Sequence, residues 1–179
     1  MFFSADLFNG DISTWDVSRV ENMCSMFYGA ASFNTDLSKW DVSTVTDMHS
    51  MFCGASFRGD ISKWDVSRVD DMHGMFKGAK SFKSDISNWD VSRVTDLDKM
   101  FYGATSFTQQ LCGSAWVNSQ ASKQSMFTGS SGSISPMCTI TTASSVFSPQ
   151  SREELRDAVD ANFVCNPAVR LDKSRDLIG

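Results

Sequence analysis

Trp15, Trp40, Trp64, Trp89 and Trp116 stand 25, 24, 25 and 27 residues apart in a chain of 179. Spacing this regular marks a repeat array, in which one short segment is built several times and each copy covers its neighbours. The copies read ISTWDVSRVENMCSMFYGAASF (12–33), LSKWDVSTVTDMHSMFCGASF (37–57), ISKWDVSRVDDMHGMFKGAKSF (61–82) and ISNWDVSRVTDLDKMFYGATSF (86–107). Counted from each tryptophan, apolar residues recur at Val17, Val42, Val66 and Val91, at Val20, Val45, Val69 and Val94, and at Met23, Met48, Met72 and Leu97. They recur again at the Met-Phe pairs 26–27, 51–52, 75–76 and 100–101, at an alanine three residues on, and at Phe33, Phe57, Phe82 and Phe107. These positions are the expected core. A single copy is too short to bury them, and stacking closes that gap.

Within a copy the apolar period changes. Leu37, Trp40 and Val42, aromatic and β-branched in character, predict a short strand or extended corner. Met48, Met51, Phe52 and Ala55 fall at i, i+3, i+4 and i+7, the face of a short helix. Thr46 is placed to cap that helix, Asp47 to complement its positive end, and Gly54 to end it in a left-handed conformation. The expected fold class is therefore an α/β repeat solenoid of about 25 residues per coil, each with a short strand and a short helix.

The motif W-D-V-S-x-V-T-D-M-x-x-M-F-x-G-A-x-S-F, carried by Trp40 to Phe57 and its three copies, closely resembles the 25-residue repeats of mycoplasma surface lipoproteins. Those repeats are grouped with the BspA-like leucine-rich-repeat surface proteins and are abundant in algae. The likeness covers about residues 1 to 111 and fades through 130. In the fifth copy, LCGSAWVNSQASKQSMFTGS keeps Trp116, Met126 and Phe127 but loses Asp-Val-Ser. The resemblance implies a right-handed, leucine-rich-repeat-like solenoid at the cell surface or secreted, with adhesive roles, no enzymatic activity and no cofactor.

The formal charge of −5 and pI near 4.9 argue against a nucleic-acid partner, because such binding rests on Lys and Arg neutralising phosphates. No apolar run is long enough to insert as a membrane-spanning helix, and the opening residues show no basic stretch followed by an apolar one. Five cysteines are an odd number, so at least one is free or pairs outside the chain.

Stacking puts equivalent polar residues in columns. Asp16, Asp41, Asp65 and Asp90 form one, and Asp11, Asp36, Asp60 and Asp85 another. Each carboxylate is expected to accept backbone N–H bonds in an Asx-turn, with the serines two residues on assisting. A row of Ca2+ sites along these ladders, involving Asp41 and Asp65, is the alternative. Arg19, Arg68 and Arg93 form a partly compensating basic column. Cys24, His49, His73 and Asp98 share another position, which makes His49 and His73 weak metal-ligand candidates. Tyr28, Cys53, Lys77 and Tyr102 share the next, and its tyrosines suit a contact surface. A catalytic Ser-His-Asp or Cys-His arrangement would have to use one of only two histidines, both in an exposed column.

The organisation expected is a repeat region at 1–127, an irregular Ser/Thr-rich segment at 128–150, and a capping helix with tail at 151–179. Ser151 and Glu154 form a capping-box pattern, with Leu155, Val159 and Phe163 on one face; Cys112, Cys138 and Cys165 lie where a disulfide is most useful. Met1 and Phe2 fall in register with Met26 and Phe27, which suggests an array entered mid-repeat and capable of end-to-end self-association. Taken together, the sequence points to a non-enzymatic scaffold that binds a protein or glycan through its exposed columns. A metal-stabilised array and a regular-surface binder of ice or mineral are the alternatives.

Overall fold

The computed structural model describes residues 2–136, within one compact unit spanning Met1–Pro136. The expected segment boundary near 128 has residues described on both sides. The capping helix at 151–179, with Cys138 and Cys165, lies outside the described residues.

The repeats do not contain the expected strand and helix. Among the described residues the only helix is α1, Ser114–Asn118, and the only sheet pairs β1, Gln110–Leu111, with β2, Ser133–Ile134, in parallel. Both belong to the degenerate fifth copy or follow it. The α/β, leucine-rich-repeat-like solenoid is therefore not what this chain forms: each regular repeat is a run of β-turns.

The backbone of residues 48–55 shows why the helical spacing misleads. Ser50 has φ 53° and Gly54 φ 71°, and left-handed residues four apart cannot belong to a right-handed helix. Turn bonds run instead from the Met51 N–H to the Met48 carbonyl, from Cys53 to Ser50 and from Ala55 to Phe52. The intervening N–H groups of Met48, Ser50, Phe52 and Gly54 donate to Asp71, His73, Met75 and Lys77 of the next repeat at 2.7–2.9 Å. His49 N–H completes the set by donating to Asp47 Oδ1 at 2.9 Å. All eight N–H groups are thus satisfied, half of them by the neighbouring repeat. Consecutive turns bring residues three and four apart to one side just as a helix does, so the apolar spacing fits both.

Thr46 does not cap a helix; its N–H and hydroxyl both donate to the Glu21 carbonyl of the preceding repeat. Nor does Leu37–Val42 form a strand, because Trp40 N–H closes a turn onto Leu37 and Val45 N–H another onto Val42. Parallel pairing between regular repeats is confined to single bridges, Asn22 to Asp47, Asp47 to Asp71 and Asp71 to Asp96, and one more joins Asp96 to Ser122 of the fifth copy.

The inward set is as expected, with three exceptions, all in the first repeat: Trp15 is exposed, and Val20 and Met26 are half-buried. Phe2, Phe27, Phe52, Phe76, Phe101 and Phe127 stack in one file at 5.5–5.7 Å. Within each regular repeat a second phenylalanine lies against this file, as Phe82 does against Phe76 at 3.8 Å. The indole N–H groups of Trp40, Trp64, Trp89 and Trp116 donate to the carbonyls of Ile12, Leu37, Ile61 and Ile86 at 3.0–3.1 Å. Tryptophan suits the site because a buried apolar ring there must also reach a carbonyl of the preceding repeat. In the fifth copy α1 carries the buried Trp116, which makes the same indole bond. Its entry is tight: a Cβ on Gly113 would lie 2.2 Å from the Ser87 carbonyl oxygen.

Candidate functional site

The two aspartate ladders adopt the Asx-turns expected of them. Asp41 Oδ1 accepts from Ser43 N–H at 3.1 Å and Ser43 Oγ at 2.6 Å, and Asp65 Oδ1 accepts from Ser67 N–H at 3.0 Å. Asp16 and Asp11 bind Ser18 and Ser13 in the same way. The serine hydrogen bonds hold the Asp41 carboxyl below its ordinary value, although the Asp16 charge beside it pushes the other way. Hydrogen bonding therefore outweighs like-charge repulsion between rungs, which solvent screens at this exposed face. Asp36 behaves likewise against Asp60.

The basic column is mostly solvated. Arg19, Arg68 and Arg93 are exposed, and Arg93 Nη2 lies 3.3 Å from Asp70 Oδ1. Thr44 takes the same position in the second repeat and donates to the carbonyls of Ser18 and Val20 instead. In the next column Tyr28 and Tyr102 are 37% and 41% exposed and Lys77 is exposed, whereas Cys53 is buried. Burial raises the Cys53 thiol above its ordinary value, with the Lys77 charge and a Tyr28 hydrogen bond opposing. Phe3, 60% exposed, stacks on Tyr28 at 4.7 Å and extends this column.

Among the described residues, the densest gathering of ligating groups lies beside the single bridges that join Asp47, Asp71 and Asp96. His49 and His73 stack at 5.0 Å with planes 10° apart. His49 Nδ1 is 3.8 Å from Asp71 Oδ2, and His73 Nδ1 is 3.5 Å from Asp96 Oδ2. Among the described residues, one ligand atom each from His73, Asp96 and Asp98 lie within 4.8 Å of one another. The structure thus brings together His49 and His73 but keeps them apart from Asp41 and Asp65, whose Oδ1 atoms are engaged by Ser43 and Ser67. Sequence reasoning missed Asp71 and Asp96. The signal was present in Asp71-Met72-His73 and Asp96-Leu97-Asp98: on extended backbone, residues two apart share a face.

A solvent-open groove of about 320 Å3 is lined by Arg58, Asp60, Ser62, Lys83, Ser84 and Asp85. Its carboxylates already serve the turns, with Ser62 N–H donating to Asp60 and Ser87 to Asp85. Cys112 is disulfide-bonded, while Cys24 and Cys53 are free. Among the described residues no helix is long and apolar enough to cross a membrane.

No curated protein matches the chain, and no solved structure does. A family model does match, over residues 1–57 and again over 40–137, so that its two passes together cover the repeats. The match spans more than half of the chain, which therefore belongs to the family described as Mycoplasma protein of unknown function, DUF285.

Proposed function

We propose that this chain is a non-enzymatic binding scaffold, displayed at a cell surface or secreted and akin to the BspA-like surface proteins, which engages a protein or glycan through exposed columns. The observation that supports this reading is the division of labour between inside and outside. Phe27, Phe52, Phe76 and Phe101 are identical and buried, while the residues immediately after them are Tyr28, Cys53, Lys77 and Tyr102. The inner residues hold the stack, while Lys77 and Tyr102 are exposed to solvent. Tyrosine faces offer apolar stacking together with a hydroxyl, and Lys77, one repeat from Tyr102, offers a charge, a combination suited to sugar rings and to protein contacts alike.

Screening the full chain on a glycan array, and against extracellular-matrix proteins immobilised singly, tests the reading. The double variant Tyr28→Ser/Tyr102→Ser should lose the binding while keeping its unfolding transition. Binding that survives in the variant, or no binding on either platform, overturns the assignment of this column.

A further inference from the structure

We propose that His73, Asp96 and Asp98 form a binding site for a single divalent transition-metal ion such as Zn2+, tying the third repeat to the fourth. The donor set is one imidazole and two carboxylates, which suits a borderline cation better than Ca2+, whose six to eight ligands are all oxygens. Its spacing suits such an ion as well. Tetrahedral zinc with ligands at about 2.1 Å sets neighbouring donors about 3.4 Å apart. His73 Nδ1 and Asp96 Oδ2 stand 3.5 Å apart, too far for a good hydrogen bond and close to the separation an intervening ion requires.

Asp98 is oriented by residues of the fifth copy, and Asp96 by the backbone of Asp98. Asp98 Oδ1 accepts from Ser122 Oγ and Gln124 N–H, each at 2.6 Å, and Asp96 Oδ1 accepts from Asp98 N–H at 2.8 Å. Each keeps its second oxygen for a cation, an outer-shell support that tightens metal sites. His73 is steadied by its stacking on His49, and all three residues are partly exposed, which gives an ion a route in. Among the described residues the corresponding sets, Cys24 with Asp47 and His49, and His49 with Asp71 and His73, do not gather their ligand atoms as closely as this one does. An ion held here would bridge backbone already paired through the Asp71–Asp96 bridge, so binding would stabilise the folded stack.

Zn2+ titration of the full chain tests this, followed by proton NMR of the imidazole C–H resonances with calorimetry alongside. The chain has two histidines, so the resonances of His73 are identified by their loss in His73→Gln. The first equivalent of Zn2+ should shift or broaden them and raise the melting temperature. His73→Gln and Asp98→Asn should each weaken binding about tenfold or more; the asparagine amide oxygen can still accept from Ser122 and Gln124, so the fold is kept. Asp41→Asn should change nothing. His73 resonances that stay in place up to millimolar Zn2+, or an affinity unaltered in both variants, overturn the proposal. Zinc taken up by cysteines gives that second pattern and overturns it equally.

Discussion

Trp15 and Trp64 occupy the same place in the same motif, yet Trp15 is 42% exposed and Trp64 only 4%. The difference lies outside the motif. Trp64 sits between the second and fourth repeats, donating its indole N–H to Leu37 and facing Phe52 at 6.3 Å. Trp15 instead meets the segment 2–8, from which Phe2 reaches its ring at 5.9 Å. Val20 and Met26 of the first repeat are half-buried beside it, while Val45, Val69, Met51 and Met75 are fully buried. Burial in this chain is therefore conferred by neighbouring repeats and not by the sequence of the repeat itself, as expected where stability is a sum of interfaces.

The sharpest way to break this comparison is to truncate both tryptophans. Trp64→Ala should cost about 3–5 kcal/mol, as large aromatic deletions in a packed core do, and Trp15→Ala under about 2 kcal/mol because much of its ring is already in water. Chemical denaturation that gave equal losses would remove the case for neighbour-conferred burial. Trp64→Phe sharpens it further: the ring stays, the bond to Leu37 goes, and about 1 kcal/mol should be lost.

Backbone strain should show no such dependence on position. Gly29 and Gly54 have φ 68° and 71°, and a Cβ on either meets no heavy atom closer than 3.5 Å. Gly29→Ala and Gly54→Ala should each cost about 1–2 kcal/mol for placing a side chain in the left-handed region, with melting temperatures lowered alike. A much milder Gly29→Ala would mean that the first repeat relaxes where the second cannot.

Acid should likewise act on both regions in the same sense. The folded-state carboxyls of Asp16 in the first repeat and Asp41 in the second are both lowered by their serine partners. A lowered folded value means that stability from these groups is complete above the ordinary aspartate value of about 3.9 and is lost as pH falls through the folded value. Urea midpoints measured from pH 6 to pH 2 should hold level and then fall below about pH 4, with carbon NMR showing both Asp16 and Asp41 titrating below the ordinary aspartate value. A midpoint that rose on acidification would reverse the sign of the carboxylate contribution.

The smallest effect belongs to the basic column. Arg93→Ala should cost under about 1 kcal/mol, since its partner Asp70 is half in solvent and salt screens the pair. Arg68→Ala should cost less still, and the same melts resolve the two.

How much of this was legible in the sequence follows from what each signal measures. The period of the tryptophans depends only on equivalence between copies, so the inward set from Val17 to Phe107 could be read directly, as could the Asx-turns from Asp-x-Ser. Secondary structure could not, because Met48, Met51, Phe52 and Ala55 report which side faces inward and not how the backbone brings them there. Ser50 at φ 53° decided the matter, and serine carries no strong left-handed signal. Glycine at the equivalent Gly74 was the available hint. The cluster at His73 was half legible: the column containing His73 and Asp98 followed from the period, but Asp96 enters it only once the backbone there is known to be extended.

The indole bonds have a consequence for how such a chain can change its length. The indole donor and its acceptor are 28, 27, 28 and 30 residues apart in successive repeats, yet the same bond forms each time at about the same distance. A side-chain donor meeting a main-chain carbonyl works as a locating dowel. It fixes where the next layer seats and leaves free the contour of chain spent in reaching it. Residues can then be gained or lost at the outer corners without shifting every later layer, and the α1 detour around Trp116 is one such gain, already absorbed.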